Sequence, residues 1–465
     1  MQSLKFCLGK TENPIFCPIC GFPNDETFLE VKTFDAVVNK NYVDNRGIKC
    51  SNCHSLLWEK SKLIGYLTDD EDANEFFTNH YVLVGCGIDY GVNLLSRLKD
   101  KNGSLLEVGC GFGFNVDYWS RRNYGSALGL EAAKYGDIGR QLLGANIINK
   151  YLDVSDNPIG CFDIVISSEV IEHVDDPKNF LVAIRKNMKD DGILILTTPS
   201  AEFIQENEPV SLMLAALSPG FHNFILSIPA IKDILESAGF KNNIIEKHNE
   251  RLVVYASPKA DINSLVNKTS DRSEYINYLD YLSDSGKGVV KEGAQWRLFK
   301  EYVNLAMDEK AEIEREKIEK TIGEKYNITI SELIARNIEE FSPDSTCKYL
   351  YKIPPYLGIY LYYFGILLSR KSSDIMNKVI IFGMSYRMLA AIYKSGPSFS
   401  QETESLIKTA GIHFYNSLID NSKYLSPYSC GHSSGLADEF QEKKKPGTGV
   451  LSYFLKLLKK IRSMI

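Results

Sequence analysis

The stretch that most narrows the fold lies between Leu105 and Arg122. Leu105-Leu106-Glu107-Val108 is a short apolar strand, Gly109-Cys110-Gly111-Phe112-Gly113 a loop with glycine at every second position, and Phe114–Arg122 a helical run. A strand that enters a helix through a glycine turn is the opening unit of a parallel sheet covered on both faces. The pattern continues downstream. Ala127–Glu131, a weaker Ile147–Leu152, Phe162–Ser167 and Gly192–Thr197 read as further strands, Pro177–Met188 and Ile228–Ala238 as helices, and Asn243–Lys247 with Leu252–Ala256 as a closing hairpin. The expected class is α/β, a doubly wound Rossmann-like sheet over residues 66–260.

Ahead of it, Cys17-Pro-Ile-Cys20 and Cys50-Ser-Asn-Cys53 form two C-x-x-C pairs separated by 29 residues that include the strand-like Thr27–Phe34. Two such knuckles present four thiolates to one ion, the tetrahedral set zinc prefers, with no position left for substrate. Residues 1–65 are therefore expected to be a small zinc ribbon with a structural metal; a redox dithiol is the alternative. The amino terminus lacks an apolar core of signal-peptide length, which predicts a cytoplasmic protein. Of 465 residues, 44% are apolar and 24% charged, a folded composition that excludes disorder and fibre. The formal charge of −6 argues against DNA and against a general RNA-binding surface.

Two long stretches without Asp, Glu, Lys or Arg, Pro209–Ile231 and Ile353–Ser369, are broken by proline and glycine and are expected to be buried core rather than membrane spans. Residues 261–440 read as a mostly helical domain, in which the charged run Met307–Tyr326 is expected to be a solvated helix face. Residues 441–465 form a tail: Lys443-Lys444-Lys445-Pro446-Gly447 precedes an amphipathic helix. Ser452, Lys456, Lys459, Lys460 and Ser463 share one stripe, opposite Leu451, Phe454, Leu455, Leu458 and Ile461. Such a helix suits peripheral contact with the inner face of an anionic membrane, each cation contributing about 1 kcal/mol, or docking on protein.

The surroundings of the glycine loop separate it from a dinucleotide fingerprint. Its spacing is E-x-G-x-G-x-G, and Glu107 suits a cationic amino-acid tail better than a pyrophosphate. Glu131, at the end of the second strand, is placed to accept two ribose hydroxyls, and Asp153, in Tyr151-Leu152-Asp153-Val154, to face an adenine edge. Together these features resemble the class I S-adenosylmethionine-dependent methyltransferase family over about Leu94–Pro258. The resemblance implies a donor site formed by Glu107, Gly109, Gly111, Gly113, Glu131, Asp153 and Ser168.

After the fourth strand, Ser168-Glu169-Val170-Ile171-Glu172-His173 places Glu169, Glu172 and His173 at i, i+3 and i+4, expected on one helix face. Such an oxygen and nitrogen set suits magnesium, manganese or zinc with open positions. E-x-x-E-H is similar to the motif of ubiquinone-biosynthesis O-methyltransferases and of small-RNA 2′-O-methyltransferases, in which a further histidine completes a divalent-metal site. His222 is the candidate for that position here. Metal-assisted transfer, a metal-free histidine base and a structural role all stay open. The combination of zinc module, donor domain, helical extension and tail resembles enzymes that methylate sugars. The expected acceptor is therefore a sugar hydroxyl on a nucleotide-linked or lipid-linked glycan of a surface-polysaccharide pathway. RNA 2′-O-methylation, sugar C-methylation and a non-catalytic scaffold are the alternatives.

Overall fold

A computed structural model describes residues 3–35, 41–59, 74–75, 77–85, 88–330, 332, 353–371, 375–395 and 401–425. The chain divides into a unit from Met1 to Ser417 and one from Leu418 to Ile465; both sheets and both ligand clusters belong to the first. The basic tail at 441–465 lies outside the described residues.

The amino-terminal strands are β1 (Ser3–Phe16), β2 (Pro23–Asp35), β3 (Asn41–Lys49) and β4 (Leu56–Trp58). Helix α1 (Ile88–Ser96) leads into β5 (Leu105–Val108), α2 (Phe114–Arg121), β6 (Ala127–Leu130), α3 (Tyr135–Leu143), β7 (Ile147–Ile148) and β8 (Phe162–Ser168). Then come α4 (Pro177–Lys186), β9 (Met188–Pro199), α5 (Val210–Leu217), β10 (Phe224–Ile225), α6 (Ile228–Ser237), β11 (Asn242–His248) and β12 (Arg251–Ser257). Among the described residues the larger sheet has the order β11-β12-β9-β8-β5-β6-β7, with β5 to β9 parallel and the β11–β12 hairpin antiparallel. Strand order reverses between β5 and β8, and the carboxyl ends of an open sheet leave a crevice at such a point. The expected doubly wound α/β sheet is present. The third strand is shorter than its sequence suggests, because only Ile147 and Ile148 pair with β6.

The segment expected to be a separate ribbon shares both its sheet and its core with the rest. The smaller sheet runs β1-β2-β3-β4-β10, so a two-residue strand from beyond residue 220 closes it. Leu29, Val31, Leu56 and Trp58 pack with Leu212, Met213 and Leu217 of α5. Cys17, Ile48 and Cys53 belong to the same buried cluster as Leu106, Val165 and Leu194 of the larger sheet. Removing such surface from water stabilises a fold by about 25 cal/mol per Å².

Beyond β12 lie α7 (Arg272–Ser285), α8 (Gly288–Asn304), α9 (Asp308–Tyr326), α10 (Leu357–Lys371), α11 (Ile375–Ser395) and α12 (Gln401–Leu425). Both charge-free stretches are buried core, as expected: Leu212–Leu214, Phe224–Leu226 and Leu357–Tyr363 are inside. Among the described residues no helix is long and apolar enough to cross a membrane. The charged α9 has the expected solvated face, with i,i+4 pairs Arg315–Glu319 and Lys320–Glu324, and a buried stripe besides. Ala311, Glu314, Ile318 and Ile322, at helical spacing, are buried, and Glu314 accepts hydrogen bonds from Ser283 and Lys317. Helices α7 and α8 reach back to the helical elements beside the sheet. Tyr278 donates to Asp117 of α2 at 2.8 Å, and Arg297 donates to the carbonyl of Val82 at 2.8 Å.

Candidate active site

The glycine loop begins where β5 ends. Gly109, Gly111 and Gly113 all take positive φ, +71°, +53° and +78°. A side chain there is strained, and Gly111 is the position where the surrounding space matters most. A Cβ on Gly111 would meet nothing within 4 Å, whereas one on Gly113 would meet Ile147 Cδ1 at 2.7 Å. The loop therefore presents Gly111 to open space and packs Gly113 against the protein.

Glu107 lies beneath the loop, 4% exposed. Its Oε1 accepts from Asn115 Nδ2 at 2.7 Å, while Oε2 is buried with no hydrogen-bond partner. Burial pushes its carboxyl up to about 8. An unsatisfied buried oxygen is costly, and a cationic ligand group would supply the missing donor. Glu131 follows β6 directly. Its two oxygens accept from the amides of Gly111 and Ala133 at 2.8 and 2.9 Å, and each keeps capacity for a second donor. Burial raises its pKa, opposed by those amides.

Ser168 ends β8 and shares a 2.8 Å hydrogen bond with Thr197 of β9. Glu107, the three glycines, Glu131 and Ser168 thus all stand at the carboxyl edge of the central strands. Asp153 does not end a strand, contrary to expectation, because β7 stops at Ile148. It is exposed, and its Oδ1 accepts from the amide and hydroxyl of Ser155 at 2.7 and 2.6 Å, a local turn that lowers its pKa.

Beyond Ser168 the chain does not continue as a helix, so the expected shared face of Glu169, Glu172 and His173 is corrected. Glu169 has a left-handed backbone, φ +57°, and the helical turn spans only Ile171–His173. Glu169 turns instead toward β9 and β12. Thr197 donates to it at 2.9 Å, and Arg251 Nε stands 3.5 Å from its other oxygen.

Glu172 and His173 meet His222, with one ligand atom of each within 4.8 Å of the others. Glu172 is fully buried. Its Oε2 accepts from Thr198 at 3.0 Å, and Oε1 has no hydrogen-bond partner. The imidazoles lie edge to face, centroids 4.7 Å apart. His173 Nδ1 donates to the carbonyl of Phe221 at 2.7 Å and His222 Nδ1 to that of Ala216 at 2.8 Å. Each ring is thereby fixed with its lone pair on Nε2, the arrangement that orients histidine for a metal. Burial lowers the pKa of His173 to about 4, burial followed by the neighbouring His173 lowers that of His222 well below the usual imidazole value, and burial followed by the charge of Glu169 raises that of Glu172. The orphaned oxygen and two oriented nitrogens fit a divalent ion with open coordination positions.

The four cysteines converge as spacing predicts. Their sulfurs lie within 4.8 Å of one another, with Cys17–Cys53 and Cys20–Cys50 both at 3.6 Å. A tetrahedron with metal–sulfur bonds of about 2.3 Å has edges of about 3.8 Å. Gly21 and His54, both left-handed, close the two knuckles by donating to the carbonyls of Cys17 and Cys50.

A family model described as a methyltransferase domain matches residues 86–243, the span that holds the glycine loop, Glu131 and all three members of the histidine cluster. The chain carries a class I S-adenosylmethionine-dependent methyltransferase domain. The mitochondrial ubiquinone biosynthesis O-methyltransferase of Dictyostelium discoideum is 33% identical over 117 residues, covering 22% of this chain and 36% of that protein. A ubiquinone biosynthesis O-methyltransferase of Dinoroseobacter shibae is 26% identical over 211 residues, 43% of this chain and 80% of the relative. A tRNA U34 carboxymethyltransferase of Actinobacillus pleuropneumoniae is 29% identical over 160 residues, 32% and 48%. The chain thus spans well under half of the first relative and about half of the third.

The structure also brings together residues that the sequence did not single out. Tyr90 and Arg251 stand beside Glu169, with the guanidinium 4.9 Å from the ring centroid. Tyr81, Phe112 and Tyr135 gather over the glycine loop at centroid distances of 5.7 and 6.4 Å. Tyr90 comes from α1 and Arg251 from β12, far apart in the chain, and no local pattern announces their meeting.

Proposed function

We propose that the protein is an O-methyltransferase in which the Glu172–His173–His222 cluster receives the acceptor hydroxyl. The observation that carries this reading is the convergence of two imidazoles and an unsatisfied buried carboxyl oxygen in the donor domain. Glu107 and Gly111 would hold the amino-acid end of S-adenosylmethionine and Glu131 its ribose; once bound, that donor supplies an electrophilic methyl group. A magnesium or manganese ion held by Glu172, His173 and His222 would lower the pKa of a hydroxyl. In the metal-free alternative the fixed Nε2 atoms would instead orient the acceptor and take up its proton. Tyr90 and Arg251 bound the acceptor side, and α1 shields it from water.

The acceptor is the finer question. The combination of domains favours a sugar hydroxyl on a nucleotide-linked or lipid-linked glycan. The relatives bear the names of ubiquinone and tRNA enzymes, which makes a phenolic ring or an RNA the second reading. Zinc in the four-thiol cluster is proposed as structural, and the basic tail as a contact with anionic lipid. The test is labelled S-adenosylmethionine offered with sugar nucleotides, glycolipid extract, catechols and tRNA, with manganese or with chelator. Label on a hydroxyl compound, lost in chelator, is expected. Undiminished turnover in chelator would replace the metal by a histidine base, and label on carbon would overturn O-transfer.

A further inference from the structure

The acceptor-side histidine and the four-thiol cluster are joined by five residues of chain. Asn223 donates its amide to the carbonyl of Glu172 at 2.7 Å, and its side chain donates to the carbonyls of His173 and Val174 at 3.1 and 3.0 Å. Phe221 holds His173 through its carbonyl. Directly after, Phe224 and Ile225 pair with Leu57 and Leu56 of β4, the strand that leaves the second knuckle. Ser227 then closes the connection. Its hydroxyl donates to the carbonyl of Cys53, and its amide donates to Ser55 Oγ at 3.2 Å. Ser55 and Ser227 are both fully buried. Water cannot replace these bonds, so the knuckle and the segment that carries His222 move together.

We propose that the Cys50–Cys53 knuckle is the support of the transfer site, with Ser227 as the positioning residue that fixes the Phe221–Leu226 segment against it. The amino-terminal module then serves catalysis without touching donor or acceptor. Metal held by the cysteines sets the geometry of His222, and loss of that metal releases the acceptor side while the glycine loop stays formed. The inference rests on the transfer-site reading of Glu172, His173 and His222.

The experiment uses the full chain and compares amide hydrogen exchange at 219–226 and 105–116 in the zinc-loaded protein, the chelator-stripped protein, Ser227→Ala and Ser227→Thr. Donor-site integrity is read from the affinity for S-adenosylhomocysteine. Stripping and Ser227→Ala are each expected to speed exchange at 219–226 by about tenfold or more, with 105–116 and the affinity unchanged within about twofold. Ser227→Thr, which keeps the hydroxyl, restores most of the protection. Unchanged exchange at 219–226 in either case, or an equal rise at 105–116, would overturn the proposal. So would a chain that purifies without zinc yet protects 219–226. A failure of the O-methyl reading would show only in the labelled-donor experiment and leaves these exchange patterns as they are.

Discussion

The two ligand clusters of this molecule are built in opposite ways. Four cysteines surround a point with soft thiol ligands on every side, supplied by two local turns. Glu172, His173 and His222 occupy one side of a point, and each imidazole is oriented by a backbone carbonyl. The first arrangement would saturate an ion, and the second would leave room for a reactant. The contrast teaches where to look for chemistry in a chain with two candidate metal sites: where coordination is incomplete and a polar atom has been left without its bond.

The strongest challenge to that contrast is Cys20→Ser. If the thiol cluster is a closed structural site, the variant loses zinc and about 4 kcal/mol or more of stability, read by metal analysis and thermal denaturation. Unchanged metal content and melting temperature would remove the structural half of the comparison.

A second test uses pH on the metal-free chain. Folded His173 stays neutral down to about 4, whereas the unfolded chain protonates it near 6.5. The unfolded state therefore binds more protons below 6.5, and stability falls as pH drops from 6.5 to 4, by about 3 kcal/mol at most. Glu172, with its raised pKa, acts in the opposite sense, so the parent should be compared with His173→Gln, which is expected to flatten the slope. Equal slopes would show that this imidazole is not held neutral by burial.

Gly111→Val examines the donor side that adjoins the open cluster. Retained fold with at least a hundredfold weaker binding of S-adenosylhomocysteine is expected, about 2.7 kcal/mol by calorimetry. Retained affinity would displace the donor from the loop. The smallest effect on stability is expected for Glu172→Gln. Burial raises the pKa of this carboxyl and so favours its neutral form, whose amide analogue is expected to change the melting free energy by less than about 1 kcal/mol, while manganese binding is lost. A large loss of stability would make Glu172 a structural residue and the two clusters alike.

What could be read in the sequence follows the range of the forces involved. The knuckles are local, and two C-x-x-C pairs disclose them. The glycine loop and the alternation of strands are local as well, and β5, α2, β6, β8 and the β11–β12 hairpin stand where the pattern places them. For Glu169 the i, i+3, i+4 spacing presumes helical φ; this residue, directly after strand β8, is left-handed instead, which no side-chain pattern reveals. Ile147–Leu152 is apolar enough for a longer strand that would end at Asp153, yet only two of its residues pair. His222 joins its partners through a turn of the chain nearly fifty residues away, and its expected place rests on family resemblance. Arg251 and Tyr90 come together only through tertiary packing, and β10 is too short to leave a periodic signal.

The shared sheet has a practical corollary for anyone preparing shorter versions of this chain. A fragment cut to the recognisable 86–243 span would take β10 away from its only partner strand among the described residues and uncover the leucine-rich side of α5. Such a fragment would be sticky and would misreport its own chemistry. Crystallisation, screening and library work belong on versions that start ahead of Cys17, however plausible a later start looks on paper.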